Sequence, residues 1–268
     1  MAKAKVAFFD FACCEGCQIE MTNFGDAAFL ELLNHIDIVE FREAISEKTT
    51  EPIDVALVEG SFTREADRAR LEEIRRRAKI VIAFGQCACT AGINALKNHQ
   101  KDYKECVYGK DAKMPHLDSA QAQPISAVIK VDYSAYGCPV NKYEVLQIVS
   151  HLLHGKAPVV PNHPVCVECK RRETVCRYHE GDHCLGVVAR AGCGAPCPAS
   201  GIPCEACRGF VDQPNETALK KVLKEKGGLS ERRAEEKTLM FTANQRGATT
   251  AKHPEKSPAL AAPQGGRS

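Results

Sequence analysis

The chain contains no tryptophan, and only 6% of its 268 residues are aromatic. It has no apolar run of about 18 residues, so the sequence predicts no direct insertion into a membrane. The net charge is only +2, which gives no electrostatic reason to expect a nucleic acid as a partner. The first residues are basic and then apolar, but no small-residue cleavage site follows Asp10, so we expect a first strand and no export signal. These absences favour a cytoplasmic protein.

Cysteine is the residue that the chain has in excess, with 15 in the sequence. Structural disulfides do not persist in the reducing cytosol, so this number of thiols favours metal ligation. The spacing of the cysteines is therefore the main evidence for function.

Apolar runs alternate with helical patterns as far as about residue 157. We predict strands at residues 3–9, 55–58, 80–84 and 127–131, and helices at about residues 19–33, 64–78 and 141–153. Short, continuous apolar runs are typical of parallel strands that are buried on both faces. The alternation predicts an α/β fold over residues 1–157, a flavodoxin-like domain with a doubly wound parallel sheet.

The composition changes after residue 157. Residues 158–212 begin with a proline-rich connector and then hold eight cysteines but few large apolar groups. We expect a small cysteine-rich domain, either an iron-sulfur domain or a zinc-bound one, because a segment with so little apolar material needs a metal to hold it together. Residues 213–268 are expected to be a charged tail, partly helical as far as Met240 and disordered beyond Thr242.

Four cysteines follow predicted strands and form what we call the first cysteine set. Its members are Cys14, Cys17, Cys87 and Cys138. The carboxyl ends of parallel strands meet at one crevice, so thiols that are far apart in sequence can converge there. Glycines such as Gly85 and Gly137 precede the thiols and permit close backbone approach. The set predicts a [4Fe-4S] cluster, and the alternative is a scatter of buried core thiols.

Eight further cysteines lie within residues 166–207, which is a specific metal-ligand pattern. A sequential division gives a second cysteine set of Cys166, Cys169, Cys176 and Cys184. It gives a third cysteine set of Cys193, Cys197, Cys204 and Cys207. Two iron-sulfur clusters fit this division, and the spacing also permits interleaved ligation. Two all-thiolate zinc sites are the alternative, and this segment alone does not decide between the metals.

Taken together, the motifs resemble those of the small subunit of nickel-iron hydrogenases. The family's proximal-cluster motifs are similar to Cys14-Glu15-Gly16-Cys17, Gly85-Gln86-Cys87-Ala88 and Gly137-Cys138-Pro139, and its post-strand Glu-Gly is similar to Glu59-Gly60. Its distal and medial segments are similar to residues 164–169 and 190–204. The resemblance covers about residues 5–210 and is strongest to the cytoplasmic group that reduces viologens, sulfur, nicotinamide or deazaflavin acceptors.

The resemblance implies an electron relay of three iron-sulfur clusters. The first set would hold the proximal cluster, the third set the medial cluster and the second set the distal cluster. All three would be [4Fe-4S], because this chain has Cys166 where the family often has histidine and Cys197 where many relatives have proline. The implied partners are a nickel-iron large subunit, which would contain the catalytic residues, and a flavoprotein or ferredoxin-like acceptor subunit. Exported relatives carry a twin-arginine leader, which this sequence does not show, so a cytoplasmic location is expected.

The sequence leaves the roles of three cysteines undecided and three alternative functions possible. Cys13, Cys89 and Cys106 are interpreted as spare thiols, with Cys13 also an alternative ligand to Cys14 because the related complex I subunit uses adjacent cysteines. The rival functions are a quinone-reducing small subunit like that of complex I, a regulatory hydrogen sensor and a zinc-stapled interaction module. The eight-cysteine segment counts against the first rival, turnover distinguishes the second, and metal analysis distinguishes the third.

Overall fold

A computed structural model describes residues 3–23, 27–100, 102–110, 113–114 and 117–245. Among the helices within these ranges, none combines the length and the apolarity that a membrane crossing requires. Most of the tail for which we expected disorder lies outside the described residues. At its start, however, Ala243–Gln245 forms a helical turn that packs against Gly92–His99.

A five-stranded parallel sheet lies at the centre of the fold. Its strands are β1 (Ala4–Asp10), β2 (Ile36–Glu40), β3 (Ile53–Glu59), β4 (Ala78–Phe84) and β5 (Tyr133–Ala135). They lie in the order β2-β1-β3-β4-β5, and each neighbouring pair is parallel. This is the flavodoxin-like order of a doubly wound sheet, so the predicted α/β fold is confirmed.

Helices flank the sheet and extend beyond it. The α-helices of the described residues are α1 (Gly16–Thr22), α2 (Ala27–Leu32), α3 (Arg68–Arg77), α4 (Gln86–Thr90), α5 (Tyr103–Tyr108), α6 (Lys142–Leu153), α7 (Cys166–Arg171), α8 (Pro196–Ala199), α9 (Glu216–Glu225) and α10 (Glu231–Leu239). Short 3-10 segments lie at Glu65–Asp67, Gly92–His99, Ile125–Ala127, Arg177–Glu180 and Ala243–Gln245. The helices predicted near residues 64–78 and 141–153 are present as α3 with its 3-10 lead and as α6.

Apolar side chains cover both faces of the sheet. On one face, Phe8 and Ile82 belong to a buried cluster that includes Ile148 of α6. On the other face, Phe9 and Val81 belong to a cluster that includes residues of α3. Burial on both faces explains why these strands have continuous apolar runs and no polar alternation.

Three parts of the sequence prediction need correction. The strand predicted at residues 127–131 is wrong, because the chain there is a 3-10 turn followed by an irregular segment and the fifth strand is β5. Ile129 is buried on the α3 face while Lys130 is exposed, so this apolar run packs against the sheet without pairing with it. The sequence analysis also missed β2. The single helix predicted at residues 19–33 is two helices, since α1 ends where Asn23 leaves helical geometry.

The cysteine-rich region packs around a small core of its own. Leu185, Val188 and Phe210 are buried there together with Cys184 and Cys204. Side chains of α9 and α10 complete this core, so the expected helical part of the charged tail is present and lies against the cysteine-rich region. Few regular elements form in residues 158–212, which agrees with the scarcity of large apolar groups in the sequence.

Candidate iron-sulfur sites

The register of the sheet brings the loops of the first cysteine set to one edge. Asp10 at the end of β1 pairs with Glu59 at the end of β3, which pairs in turn with Phe84 at the end of β4. Phe84 pairs with Ala135 at the end of β5. The loops after β1, β4 and β5 carry the first set, so all four thiols start from the same edge of the sheet.

The four thiols of the first set are close enough to interact electrostatically. Cys87 interacts with Cys138 and Cys14, and Cys138 interacts with Cys14 and with Cys17. Burial raises the pKa of Cys87 to about 12 and also raises the pKa of Cys17 and of Cys138. Such thiols are protonated at neutral pH unless a metal holds them as thiolates, so ligation here would release protons.

Glu59 anchors the loop that carries the first two thiols. Its carboxylate lies buried at the end of β3 and accepts hydrogen bonds from the backbone N–H groups of Cys17 and Gln18, each at 3.2 Å. Burial raises the pKa of Glu59, and the N–H donors of Cys17 and Gln18 act against that rise. The residue therefore fixes the start of α1 against the sheet edge. The side-chain amide of Gln18 is buried and has no hydrogen-bond partner among the described residues.

Gly85 shows how closely the backbone approaches a thiol in this site. A Cβ atom at this position would lie 2.5 Å from the Sγ of Cys17, and the backbone has φ +87°. Both facts require glycine. The sequence analysis predicted that the glycines permit close backbone approach to the thiols. At Gly85, this approach is the contact between the backbone and the Sγ of Cys17.

The second cysteine set is also a spatial group. Cys166 and Cys169 lie on α7 and interact electrostatically with Cys176 and Cys184. Burial raises the pKa of Cys166 to about 11. Cys176 is exposed, whereas Cys184 is 8% exposed, so this set extends from the core of the cysteine-rich region to the surface.

The third cysteine set lies between the other two. Cys207 interacts with Cys193 and Cys197 of its own set and with Cys138 of the first set. Cys204 interacts with Cys193 and Cys207, and its backbone N–H lies 3.4 Å from the Sγ of Cys184, a member of the second set. The three sets therefore form a series in the order first, third, second.

Left-handed backbone at residues other than glycine occurs inside the cysteine motifs. Glu15, Ala195 and Ala206 have φ of 60°, 51° and 56°. Each lies between two cysteines of one set. Such conformations cost of order 1–3 kcal/mol and concentrate at functional sites, because the surrounding structure must impose them.

The three unassigned thiols have different environments. Cys13 lies beside the first set and interacts with Cys87, and burial raises the pKa of Cys13 to about 12. Cys89 packs against the α3 face of the sheet, where its Sγ lies 3.5 Å from the carbonyl oxygen of Ala83 and 3.6 Å from that of Ala135. Cys106 is exposed. The structure therefore has five thiols at the first site, and Cys13 stays an alternative to Cys14.

The donor chemistry of the three sets fits iron-sulfur clusters. Each set offers four thiols, which is the ligand number of a [4Fe-4S] cluster, and glycine backbone lies against the thiols at Gly85 and Gly186. Within the ranges that the structure describes, no three His, Cys, Asp or Glu side chains are grouped to hold a single metal ion.

Sequence reasoning missed the polar residues that hold the cysteine loops together. The carboxylate of Glu168, between Cys166 and Cys169, accepts from the backbone N–H groups of Gly192 and Gly194 at 2.8 and 3.1 Å. These glycines flank Cys193, so Glu168 ties the second set to the third. Its place inside a CxxC motif was the only signal that sequence offered. Arg208, which follows Cys207, was likewise missed.

Comparison with known proteins agrees with this architecture. The family model described as NADH ubiquinone oxidoreductase, 20 Kd subunit, matches residues 14–152. Sulfhydrogenase 2 subunit delta of Pyrococcus furiosus is 35% identical over 222 residues, which cover 82% of this chain and 92% of that protein. A vhu subunit of the F420-non-reducing hydrogenase of Methanocaldococcus jannaschii is 36% identical over 241 residues, covering 78% of this chain and 83% of that protein.

Solved structures give the same result for the fold. A chain of an NAD+-reducing [NiFe]-hydrogenase in the H2-reduced state matches with a TM-score of 0.53 and 26% identity, covering 60% of this chain and 96% of that chain. A chain of the actinobacterial-type NiFe-hydrogenase from Ralstonia eutropha H16 matches with a TM-score of 0.57 at 15% identity, covering 97% and 95%. The second likeness concerns the fold alone. The resemblance that the cysteine motifs indicated is confirmed, and the chain belongs to the NADH ubiquinone oxidoreductase 20 Kd subunit family as a hydrogenase small subunit.

Proposed function

We propose that this chain transfers electrons between the nickel-iron site of a hydrogenase large subunit and an acceptor subunit, through three [4Fe-4S] clusters held by the three cysteine sets. The observation that carries the proposal is the serial arrangement of the sets. The third set has thiol neighbours in both of the others, through Cys207 and Cys138 on one side and Cys204 and Cys184 on the other. A series of four-thiol sites is what a one-electron relay needs.

The chemistry divides between the partner subunit and this chain. Oxidation of one hydrogen molecule in the large subunit yields two protons and two electrons, and each cluster, when bound, accepts and releases one electron at a time. This chain's residues supply thiolate ligands, N–H donors and burial, which set the reduction potentials. No catalytic residue for hydrogen is assigned to this chain.

We assign the large-subunit contact to the surface around the first set. Cys14 is exposed there, and Ile19 and Ile93, on the elements that carry Cys17 and follow Cys87, are 55% and 47% exposed. Large exposed apolar side chains beside a functional site are typical of a protein interface. Docking here would bring the nickel-iron site next to the proximal cluster.

We assign the acceptor contact to the surface around the second set. Cys176 and Val175 are exposed there, and Lys170 and Arg171 are exposed at the end of α7. A basic surface beside a redox centre attracts an acidic partner and accelerates its association. A flavoprotein or ferredoxin-like subunit with an acidic face fits this surface. The same proposal places the complex in the cytoplasm, where the 15 cysteines are not oxidised to disulfides.

A matched pair of cysteine substitutions tests the proposal. Cys204→Ala removes a buried member of the third set, and Cys106→Ala removes an exposed thiol outside all three sets. In the anaerobically assembled complex, we expect Cys204→Ala to lower hydrogen-dependent viologen reduction at least about tenfold, because the proposed medial cluster would lack one of its four ligands. Exchange between hydrogen gas and deuterated water, which needs only the large subunit, should continue. Cys106→Ala should behave as the wild type.

Other outcomes of the same experiment favour the rivals. Viologen reduction that Cys204→Ala leaves unchanged would contradict the relay. Reduction of a quinone analogue but not of viologen would favour the complex I-like function. Hydrogen binding with very slow turnover in the wild-type complex would favour a regulatory sensor.

A further inference from the structure

One buried arginine connects the loops of the first and third cysteine sets. Arg208 directly follows Cys207 and is only 2% exposed. Its Nη1 donates to the carbonyl of Tyr136 at 2.5 Å, two residues before Cys138. Its Nε donates to the carbonyl of Ala191 at 2.8 Å, two residues before Cys193. One guanidinium therefore bonds to a loop of each set.

Glu144 on α6 holds this guanidinium in place. Both of its carboxylate oxygens accept from Nη2 of Arg208 at 2.8 Å, and Glu144 is itself buried. The backbone of Gly192 lies directly against the pair, because a Cβ atom there would lie 2.4 Å from Nη2 and 2.9 Å from the Glu144 Oε1. Arg208 is thus held by hydrogen bonds from its Nε, Nη1 and Nη2 atoms, with the Gly192 backbone packed beside it.

Two further contacts cross the same boundary. The side-chain Nδ2 of Asn141, three residues after Cys138, donates to the carbonyl of Gly192 at 3.0 Å. When the Gln86 amide is oriented to satisfy both of its polar atoms, it donates to the carbonyl of Arg208 at 3.3 Å and accepts from the N–H of Gly209 at 3.2 Å. Gln86 precedes Cys87 of the first set, so both late loops of that set contact the third set here.

Energetic considerations favour a geometric role for the arginine over a stabilising one. A buried ion pair gains little net stability, because taking both charges out of water costs about as much as their attraction returns. What a guanidinium adds is a rigid planar fork that fixes several acceptors at once. The rate of electron transfer falls steeply as the distance between two redox centres increases. The distance between the first and third sets therefore affects the rate of the proposed relay.

We propose that Arg208 is the positioning residue for electron transfer between the first and third cysteine sets, and that Glu144 orients its guanidinium. Arg208 fixes the distance between the loop of Cys138 and the loop of Cys207. The inference rests on the proposed relay and adds a residue that ligates nothing.

The test compares Arg208→Met with Arg75→Met in the assembled complex. Arg75 is the matched control, because its guanidinium also bonds to a buried carboxylate, Asp132, and to backbone carbonyls, but at the amino end of β4, away from the cysteine sets. We expect both variants to retain wild-type iron and sulfide. In Arg208→Met alone, the magnetic coupling between the reduced proximal and medial clusters should weaken in the EPR spectrum.

The kinetic result should follow the spectroscopic one. Hydrogen-dependent acceptor reduction by Arg208→Met should fall about 10–100-fold, the usual effect of losing a residue that supports metal ligands, while hydrogen–deuterium exchange stays at the wild-type rate. Arg75→Met should change neither the coupling nor the reduction rate. Wild-type coupling and reduction rate in an iron-replete Arg208→Met complex would overturn the inference.

If Arg208→Met loses iron, two milder variants test whether Arg208 has the positioning role. Arg208→Lys keeps the charge but lacks the fork, and Glu144→Gln keeps the shape but removes the carboxylate. Weakened coupling with full iron content in both supports the positioning role, whereas wild-type spectra and rates in both overturn it. A wild-type complex without coupled cluster signals overturns the relay itself and is thereby distinguished from failure of Arg208 alone.

Discussion

The sheet region and the cysteine-rich region have cores that are built from different kinds of side chain. The sheet is covered by aliphatic and aromatic side chains on both faces, such as Phe8 and Ile82 on one face and Phe9 and Val81 on the other. One candidate ligand, Cys17, lies in the cluster of Phe8 and Ile82. In the cysteine-rich region, Cys184 and Cys204 are themselves core residues beside Leu185 and Phe210. The sheet region has its candidate metal site at the edge of the core, whereas the cysteine-rich region has candidate ligand residues inside its core.

This difference predicts how the proposed clusters affect the stability of each region. A large apolar core stabilises a fold without a ligand, whereas a small segment poor in apolar groups depends on metal binding, whose free energy then becomes folding free energy. The sheet region should therefore fold without iron, and the cysteine-rich region should not.

The largest expected effect is that of iron removal. After anaerobic chelation, backbone amides in the cysteine-rich region, residues 158–212, should lose their protection from hydrogen exchange, because its core is completed by ligated thiols. Amides in β1, β3 and β4 should stay protected. Hydrogen exchange read by mass spectrometry measures both regions in one sample. Equal loss of protection in the two regions would contradict the claim that only the cysteine-rich region needs iron to fold.

The next largest effect is that of a methyl group at Gly85. Gly85→Ala places a Cβ atom 2.5 Å from the Sγ of Cys17, so we expect loss of the proximal cluster, about four iron per chain. Gly109→Ala is the matched control. Gly109 has nearly the same φ, +86° against +87°, but nothing within 4 Å of an added Cβ. Iron analysis of the two variants separates steric conflict at the site from backbone strain, and equal iron contents would contradict the assigned site.

A smaller effect is expected where the second and third sets are tied together. Glu168→Gln leaves one acceptor oxygen for the two N–H groups of Gly192 and Gly194. Loss of such a hydrogen bond to a charged group costs about 1.5–3 kcal/mol. We expect the cluster absorbance to be lost at a lower temperature than in the wild type, while a probe of the sheet region is unchanged. Glu236→Gln, at an exposed position of α10, is the control and should leave both transitions in place.

The smallest effect concerns the surface charge beside the second set. Lys170→Glu with Arg171→Glu should slow reduction of an acidic acceptor protein at low salt, and the difference should fade at high salt as the charges are screened. Lys220→Glu with Lys221→Glu makes the same charge change at two exposed positions of α9. If both double variants respond alike, the acceptor does not dock at the second set. Stopped-flow kinetics over a range of ionic strength measures the difference.

The sequence predicted most of the sheet because the central strands carry unmistakable apolar runs. It missed β2, an edge strand that alternates Ile36 and Ile38 with Asp37 and lies half exposed. It misplaced β5, since the strand has only three residues while the apolar run before it packs without pairing. Composition thus located buried segments, but it did not distinguish strand pairing from packing.

The candidate sites divide in the same way. The spatial grouping of the thiols was predictable, because the cysteines lie in CxxC motifs and post-strand loops that can be recognised locally in the sequence. The ion pair of Arg208 and Glu144 was not predictable, since the two residues lie far apart in the chain and no local sequence motif indicates a buried ion pair. Only the fold brings them together.

Metal analysis of the anaerobically purified chain tests the three-cluster account most directly. Iron, zinc and acid-labile sulfide should be measured per chain, followed by low-temperature EPR of the dithionite-reduced sample. The account predicts about twelve iron and twelve sulfide, with coupled [4Fe-4S] signals. About two zinc with at most about four iron would contradict it, leaving one cluster at the sheet and a zinc-stapled region beside it.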